Sequence, residues 1–223
     1  MTHHTPHPGK SERLRLKLTP TERRASTMLA LLFACRMLGL VLLTPVFAVA
    51  AHTIPGGNDA AKVGLALGAY GLTQALMQIP LGMASDRYGR RPVIVFGLLL
   101  FIAGGVICAL ANDINWIIAG RVVQGLGAIS AAITAWLADA TRPEVRTRAM
   151  AMVGGSIGIS FAASLVLSPL LVGEFGLSGL FWAISLLGFV CLLIATFVVP
   201  VVPLAKAPIV QVKPRDVLAH ADL

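Results

Sequence analysis

Acidic residues are scarce in this chain: Asp and Glu supply ten of 223 residues, and charged side chains make up 13% against 57% hydrophobic ones. A water-soluble domain of this size needs far more charge to cover its surface. The mean hydropathy of +0.82 agrees, so lipid is the solvent for most of the chain. Cysteine is sparse too. Cys35, Cys108 and Cys191 all fall in apolar runs with no metal-ligand spacing between them, and they read as small packing residues rather than disulfide partners. There is no nucleophile–base pair, metal-ligand set or phosphate loop, which argues against an enzyme and implies no cofactor and no metal. Alternating ten-residue segments are missing as well, which argues against a transmembrane barrel.

What is present is a series of long apolar runs. Six of them, over 25–51, 63–84, 93–112, 114–138, 149–172 and 178–200, reach the roughly 20 residues that a membrane-crossing helix needs. The expected fold is therefore an all-α membrane protein with a six-helix bundle over 25–200. The net charge of +8 is a matter of topology, not of nucleic-acid binding. With the N-terminus inside, fifteen of the eighteen Lys and Arg fall on the cytoplasmic side, Lys62 alone lies in an external loop, and Arg36 and Arg121 lie within spans. That asymmetry follows the positive-inside rule and places both termini in the cytoplasm. Arg23, Arg24, the apolar run after them and Ala48-Val49-Ala50 imitate a cleavable signal peptide. The run is too long for a signal core, however, and it carries Arg36.

Residues 1–24, with His3, His4 and His7, are expected to form a cytoplasmic tail, and 201–223 a truncated cytoplasmic linker. The connections at 52–62, 112–115 and 173–176 are external, and the basic ones at 85–92 and 141–148 internal. A weak internal symmetry is visible. The first helix of each triplet carries an intramembrane arginine, Arg36 or Arg121, and the second a small-xxx-small pair, Gly64/Gly68 or Gly154/Gly158. Two inverted three-helix repeats would give this pattern.

The sharpest motif runs from Gly82 through Asp86, Arg87, Gly89, Arg90 and Arg91 to Pro92, between the second and third runs. Gly82 would let the second helix approach a neighbour, Gly89 would permit a tight reversal, and Pro92 suits the first turn of the third helix. Asp86 and Asp139 both fall at helix C-termini, where the macrodipole disfavours an anion. Two carboxylates in such places point to a shared cationic partner, and Arg90 is the candidate. Arg36 and Arg121 each cost about 2.5–3.5 kcal/mol inside a membrane even on the lenient insertion scale. They are expected to face a water-filled cavity or a partner helix. Tyr70, Gln74 and Gln78 recur every four residues as a polar stripe on the second helix, which lines a substrate path or bonds to a neighbouring helix. No Asp or Glu falls at mid-span.

The pattern G-x-x-x-D-R-x-G-R-R at 82–91 resembles the A motif of the major facilitator superfamily, and Arg121, Gln124 and Gly125 resemble its B motif. Residues 22–200 are similar to the proton-coupled multidrug-efflux branch, and within it to the YajR-like transporters. The branch's C motif has a counterpart at 164–173, with Ser164 and Ser168 in both early glycine positions, a departure that leaves the direction of antiport open. The resemblance implies the N-terminal half of the major facilitator fold, sited in a bacterial inner (plasma) membrane. It implies a conformational latch from Gly82, Asp86, Arg87, Gly89, Arg90, Arg91 and Asp139, and proton coupling at Arg121, Gln124 and Gly125. A substrate cavity would take Arg36, Tyr70, Gln74 and Gln78. The expected partners are membrane lipid, protons, a small-molecule substrate and a C-terminal half or second six-helix subunit. The rival readings are one subunit of a split transporter and a non-transporting membrane scaffold.

Overall fold

The computed structural model describes residues 18–199, and the two terminal segments read above as tail and linker lie largely outside the described residues. Helix α1 (Pro20–Val41) starts five residues before the expected tail boundary. Pro20 sits at the first helical position, and Thr19 and Glu22 form a reciprocal capping box, with Thr19 Oγ1 accepting from the Glu22 N–H at 3.2 Å and Glu22 Oε2 from the Thr19 N–H at 2.8 Å. The apolar run to residue 51 is not one helix. It breaks after Val41 where Thr44-Pro45 follows, because proline lacks an N–H and pushes its predecessor out of helical geometry. The chain continues as a short helix α2 (Phe47–Ala50).

Asp59 caps α3 (Ala60–Tyr88), accepting from the Ala61 N–H at 2.9 Å. Gly89, at φ 102°, reverses the chain into α4 (Arg90–Ala109), a geometry that a side chain would strain. The fourth run is two helices, α5 (Ile114–Leu126) and α6 (Ser130–Asp139), separated at Gly127–Ile129. The fifth and sixth runs lie in α7 (Pro143–Leu193), which is broken at Gly176 (φ 66°, ψ −171°).

The break at Gly176 is a full reversal. Ser160 donates to the Ala34 carbonyl at 2.9 Å, and Cys191 Sγ to the Leu32 carbonyl at 3.5 Å. Thirty-one residues of straight helix would separate those two side chains by roughly 46 Å. Both nevertheless touch the same two turns of α1, so 143–175 and 177–193 run in opposite directions.

Among the described residues, four helices are long and apolar enough to cross a membrane: Pro20–Val41, Arg90–Ala109, Ile114–Asp139 and the broken Pro143–Val198. Helix α3, at 29 residues, is longer than the first two but carries the polar stripe. Large apolar side chains such as Ile79, Ile159 and Phe197 point outward, as they do when lipid is the outer solvent. The chain is a multi-pass membrane protein.

The segments pair in a regular way. The arm 143–175 lies parallel to α1 along buried Ser156, Ser160, Ser164 and Ser168, and Ser168 donates to the carbonyl of Leu42, where α1 ends. Of the two serines that depart from the expected glycine pattern, Ser168 adds this hydrogen bond across the interface, while Ser164 bonds back to the Phe161 carbonyl of its own helix. Helix α3 lies parallel to α5–α6, and α4 packs antiparallel to both α5 and 177–193, where Ser178 donates to the Ala109 carbonyl at 2.5 Å. Exchanging the first three segments for the last three maps the α1 pair onto the α3 pair.

Glycines divide by location. A Cβ on Gly104 would meet the Gly120 carbonyl and the Gln124 N–H at 2.5 Å, whereas Gly64, Gly68, Gly154, Gly155 and Gly158 have open space. Gly104→Val should therefore force two backbones apart at a cost of about 1–3 kcal/mol or more, while Gly154→Val should stay within about 0.5 kcal/mol. Thermal unfolding of the purified chain in detergent micelles measures both.

Candidate functional site

The basic end of the bundle carries the first cluster. Arg90, in the first turn of α4, donates from Nη1 to Asp86 and to Ser85 Oγ (2.8 Å), and from Nε to Asp139 Oδ2 at 2.9 Å. Asp86 ends α3 and Asp139 ends α6, so one guanidinium compensates the two carboxylates that the helix dipoles disfavour. The arms differ in environment. The Asp86 side chain is 66% exposed, against 26% for Asp139 and 14% for Arg90, so the Asp139 arm is the less screened.

The remaining motif residues frame this cluster. Arg87 lies 5.6 Å from the Tyr88 ring centre, and Arg91 stands half-buried beside Arg90. Gly82 does not do what its spacing suggests. A Cβ there would meet Ala131 at 3.8 Å, an ordinary contact, so no close approach of backbones requires glycine in this conformation.

Three residues beyond Asp139, a second clamp escaped the sequence reading. Glu22 Oε1 accepts from Arg142 Nε at 2.8 Å and from the Arg142 N–H at 3.1 Å, and Oε2 accepts from Nη2 at 3.2 Å. Glu22 thereby ties the start of α1 to the start of α7. The segment 139–142 is held at one end by Arg90 and at the other by Glu22. Glu22 stands ahead of the apolar run that begins at Ala25, and the Arg142 guanidinium beside it holds its carboxyl down at about 2, below the ordinary 4.5.

The second cluster is in the interior, between two hydrophobic clusters, one around Phe47, Phe101 and Phe181 and the other around Leu29, Ile94 and Trp136. Arg36, only 1% exposed, donates from Nη2 to Tyr70 OH (3.2 Å), Gln74 Oε1 (3.3 Å) and the Gly127 carbonyl (3.1 Å), and from Nη1 to Ser130 Oγ at 3.4 Å. The guanidinium also lies 5.7 Å from the Phe101 ring centre. Tyr70 OH donates in turn to Gln74. The two stripe residues thus bond to a neighbouring helix. Gln78, one turn further on, is outside this network, and its buried Oε1 has no hydrogen-bond partner.

Arg121, 3% exposed, lies over the Tyr70 ring at 4.4 Å and donates from Nη1 to Gln124 Oε1 at 2.8 Å. Gly125 closes this side, since any Cβ there would overlap the Thr73 side chain and crowd the Tyr70 carbonyl. Tyr70 therefore stands between the two buried arginines. The sequence reading missed Gly127, whose carbonyl is freed by the break between α5 and α6 and is taken by Arg36. The signal was present as Gly125 and Gly127 in one apolar run, a spacing that weakens helix.

Comparison with known proteins agrees with this architecture. Residues 25–220 match the model of the Major Facilitator Superfamily. The chain is 48% identical over 184 residues to the inner membrane transport protein YajR of Escherichia coli K12, covering 82% of this chain and 40% of that relative. It is 32% identical over 158 residues to the multidrug resistance protein MdtL of Escherichia coli, covering 70% and 40% respectively. Among solved structures, the human organic anion transporter MFSD10 (TETRAN) matches with a TM-score of 0.67 at 23% identity, over 82% of this chain and 48% of that one, a likeness of fold alone. The chain spans less than half the length of these proteins.

The two ionic clusters make separate predictions. Asp139→Asn should destabilise by about 1–3 kcal/mol, and Asp86→Asn by about 0.3–0.5 kcal/mol, as for an exposed helical pair; thermal unfolding of the two variants gives the order. The depressed Glu22 carboxyl contributes stability that is whole above pH 4.5 and is lost as pH falls toward about 2. Over that window the native unfolding midpoint should fall more steeply than that of Glu22→Gln.

Proposed function

The chain belongs to the Major Facilitator Superfamily, and on that footing we propose that it is half of a proton-coupled secondary transporter that exports small molecules by alternating access. The observation that carries this reading is the Asp86–Arg90–Asp139 cluster. It fastens the α3–α4 reversal to the end of α6 at the basic face, where a change of conformation would have to open it. Each 1.4 kcal/mol that the cluster contributes to one state shifts the balance between states about tenfold. An interaction of this size works as a latch because it biases the cycle without arresting it.

The reading has six crossings, α1 through the short α2, α3, α4, α5–α6, 143–175 and 177–198, with both ends on the cytoplasmic side of a bacterial inner membrane. Among the described residues, Arg23, Arg24, Arg87, Arg90, Arg91, Arg142, Arg146 and Arg148 lie on the side this assigns to the cytoplasm, and Lys62 lies on the other. The open glycine faces on α3 and on 143–175 support a second six-helix unit as the partner. Gly104, Gly105, Gly120, Gly125 and Gly188 are crowded by neighbours, whereas these present bare backbone of the kind that packs against another helix. Proton coupling falls to Arg121 with Gln124, a buried charge whose partners change if a proton arrives nearby.

Flux of a reporter compound in inverted membrane vesicles tests this, with and without an imposed pH gradient, and with and without a co-expressed second six-helix unit. Gradient-dependent flux should need both units and fall at least tenfold in Asp139→Asn and in Arg121→Ala. Flux by the purified chain alone would overturn the half-transporter reading, and flux indifferent to the gradient would overturn proton coupling.

A further inference from the structure

The hydrogen bonds around Arg36 are unlike those of the two arginines that meet carboxylates. Arg90 and Arg142 meet carboxylates at 2.9 and 2.8 Å, within the range of charge-assisted bonds. Arg36 meets four neutral acceptors, all between 3.1 and 3.4 Å, and its Nη2 divides two hydrogens among three of them. Its Nε has no partner at all, and Arg121 Nε and Gln124 Nε2 are buried without partners as well. The unmet groups around Tyr70 are thus all donors. Two formal positive charges accompany them, one on each side of the same tyrosine.

Among the described residues, no acid forms an ion pair with Arg36 or Arg121. The chain's ten carboxylates, Glu12, Glu22, Asp59, Asp86, Asp113, Asp139, Glu144, Glu174, Asp216 and Asp222, all fall at span ends, in loops or in the terminal segments. A guanidinium buried at low dielectric gains most from an anion that meets two of its N–H groups at once. Two of the four groups now bonded to Arg36 are dispensable partners. Gln74 and Ser130 are half-exposed, sit at the long end of hydrogen-bond distance, and can turn away at little cost.

From this we infer that the Arg36–Tyr70–Arg121 centre is a binding site for the carboxylate of a small organic anion, with Arg36 as its principal ligand. In this site Gln74 and Ser130 give way, the carboxylate takes Arg36 Nε and a terminal nitrogen, and the Tyr70 hydroxyl turns from Gln74 to donate to it. Arg121, held against the Tyr70 ring, adds a second positive charge without touching the anion. An organic cation is excluded by the same charges. The inference rests on the transporter reading and narrows its substrate class to anions.

The test is equilibrium dialysis of the purified chain in dodecyl maltoside against radiolabelled benzoate, with tetraphenylphosphonium as the cationic counterpart. Benzoate should bind saturably and raise the unfolding midpoint, and tetraphenylphosphonium should neither displace it nor stabilise the chain. Arg36→Gln should weaken benzoate binding tenfold or more, and Arg36→Lys, which keeps the charge, should weaken it less. If Arg36→Gln does not fold, Ser130→Ala decides, because removing an acceptor that competes for Arg36 should leave benzoate binding equal or tighter. No saturable binding by the native chain, equal binding by Arg36→Gln, weaker binding by Ser130→Ala, or preference for the cation would each overturn the site. Benzoate binding in the absence of any gradient-linked flux would leave the site standing and count against the transporter reading instead.

Discussion

A guanidinium buried inside an apolar helix bundle has no water to turn to, and the polar groups of this bundle around Arg36 answer that constraint. Four segments contribute to meeting it: α3 with Tyr70 and Gln74, α6 with Ser130, the broken stretch after α5 with the Gly127 carbonyl, and α4 with the face of Phe101. The interruption between α5 and α6 would otherwise expose a bare carbonyl within the membrane. It persists because Arg36 binds that carbonyl, and the arginine is tolerated because the interruption supplies an acceptor. Together they place a polar layer between two hydrophobic clusters.

The basic end solves a different electrostatic problem. Helices that end in Asp86 and Asp139 put anions where the dipoles repel them, and a single guanidinium at the start of α4 offsets both. Through Asp139 the same short segment reaches Arg142, and through Arg142 it reaches Glu22 at the start of α1. The segment 139–142 thus joins the Arg90 cluster to the Glu22 clamp, which holds α1 to 143–175. The interior site and the basic end are joined along α1 itself, which carries Glu22 at one end and Arg36 four turns further on.

Much of this was legible in the sequence, for identifiable reasons. Hydropathy marks α1, α4 and the two arms of α7 because lipid imposes length and apolarity on each crossing. The carboxylate–arginine cluster could be read because Asp86 and Asp139 stood where a helix dipole makes an anion costly. What sequence could not supply was the contact across helices. Glu22 looked like part of a polar tail, since a capping box is a local pattern and its second use, on Arg142, is 120 residues away. Gly82 carried a motif spacing but has no tight neighbour. The break at Gly127 was hidden inside an apolar run whose mean hydropathy gives no sign of a kink. The polar stripe Tyr70–Gln74–Gln78 was read as one unit, yet only two of its members reach Arg36, because the third lies a full turn too far along α3.

On the proposed transport cycle, the salt bridge between the α4 start and the α6 end is the latch that must open and close. Its most direct test is a charge exchange in vesicles that carry both six-helix units. Arg90→Asp and Asp139→Arg should each abolish most gradient-driven flux, because each leaves like charges facing one another. Combined, they again place one cation against two carboxylates, Asp86 being unchanged, and the account expects flux to recover to a substantial fraction of native. A double variant as inactive as either single one would contradict it.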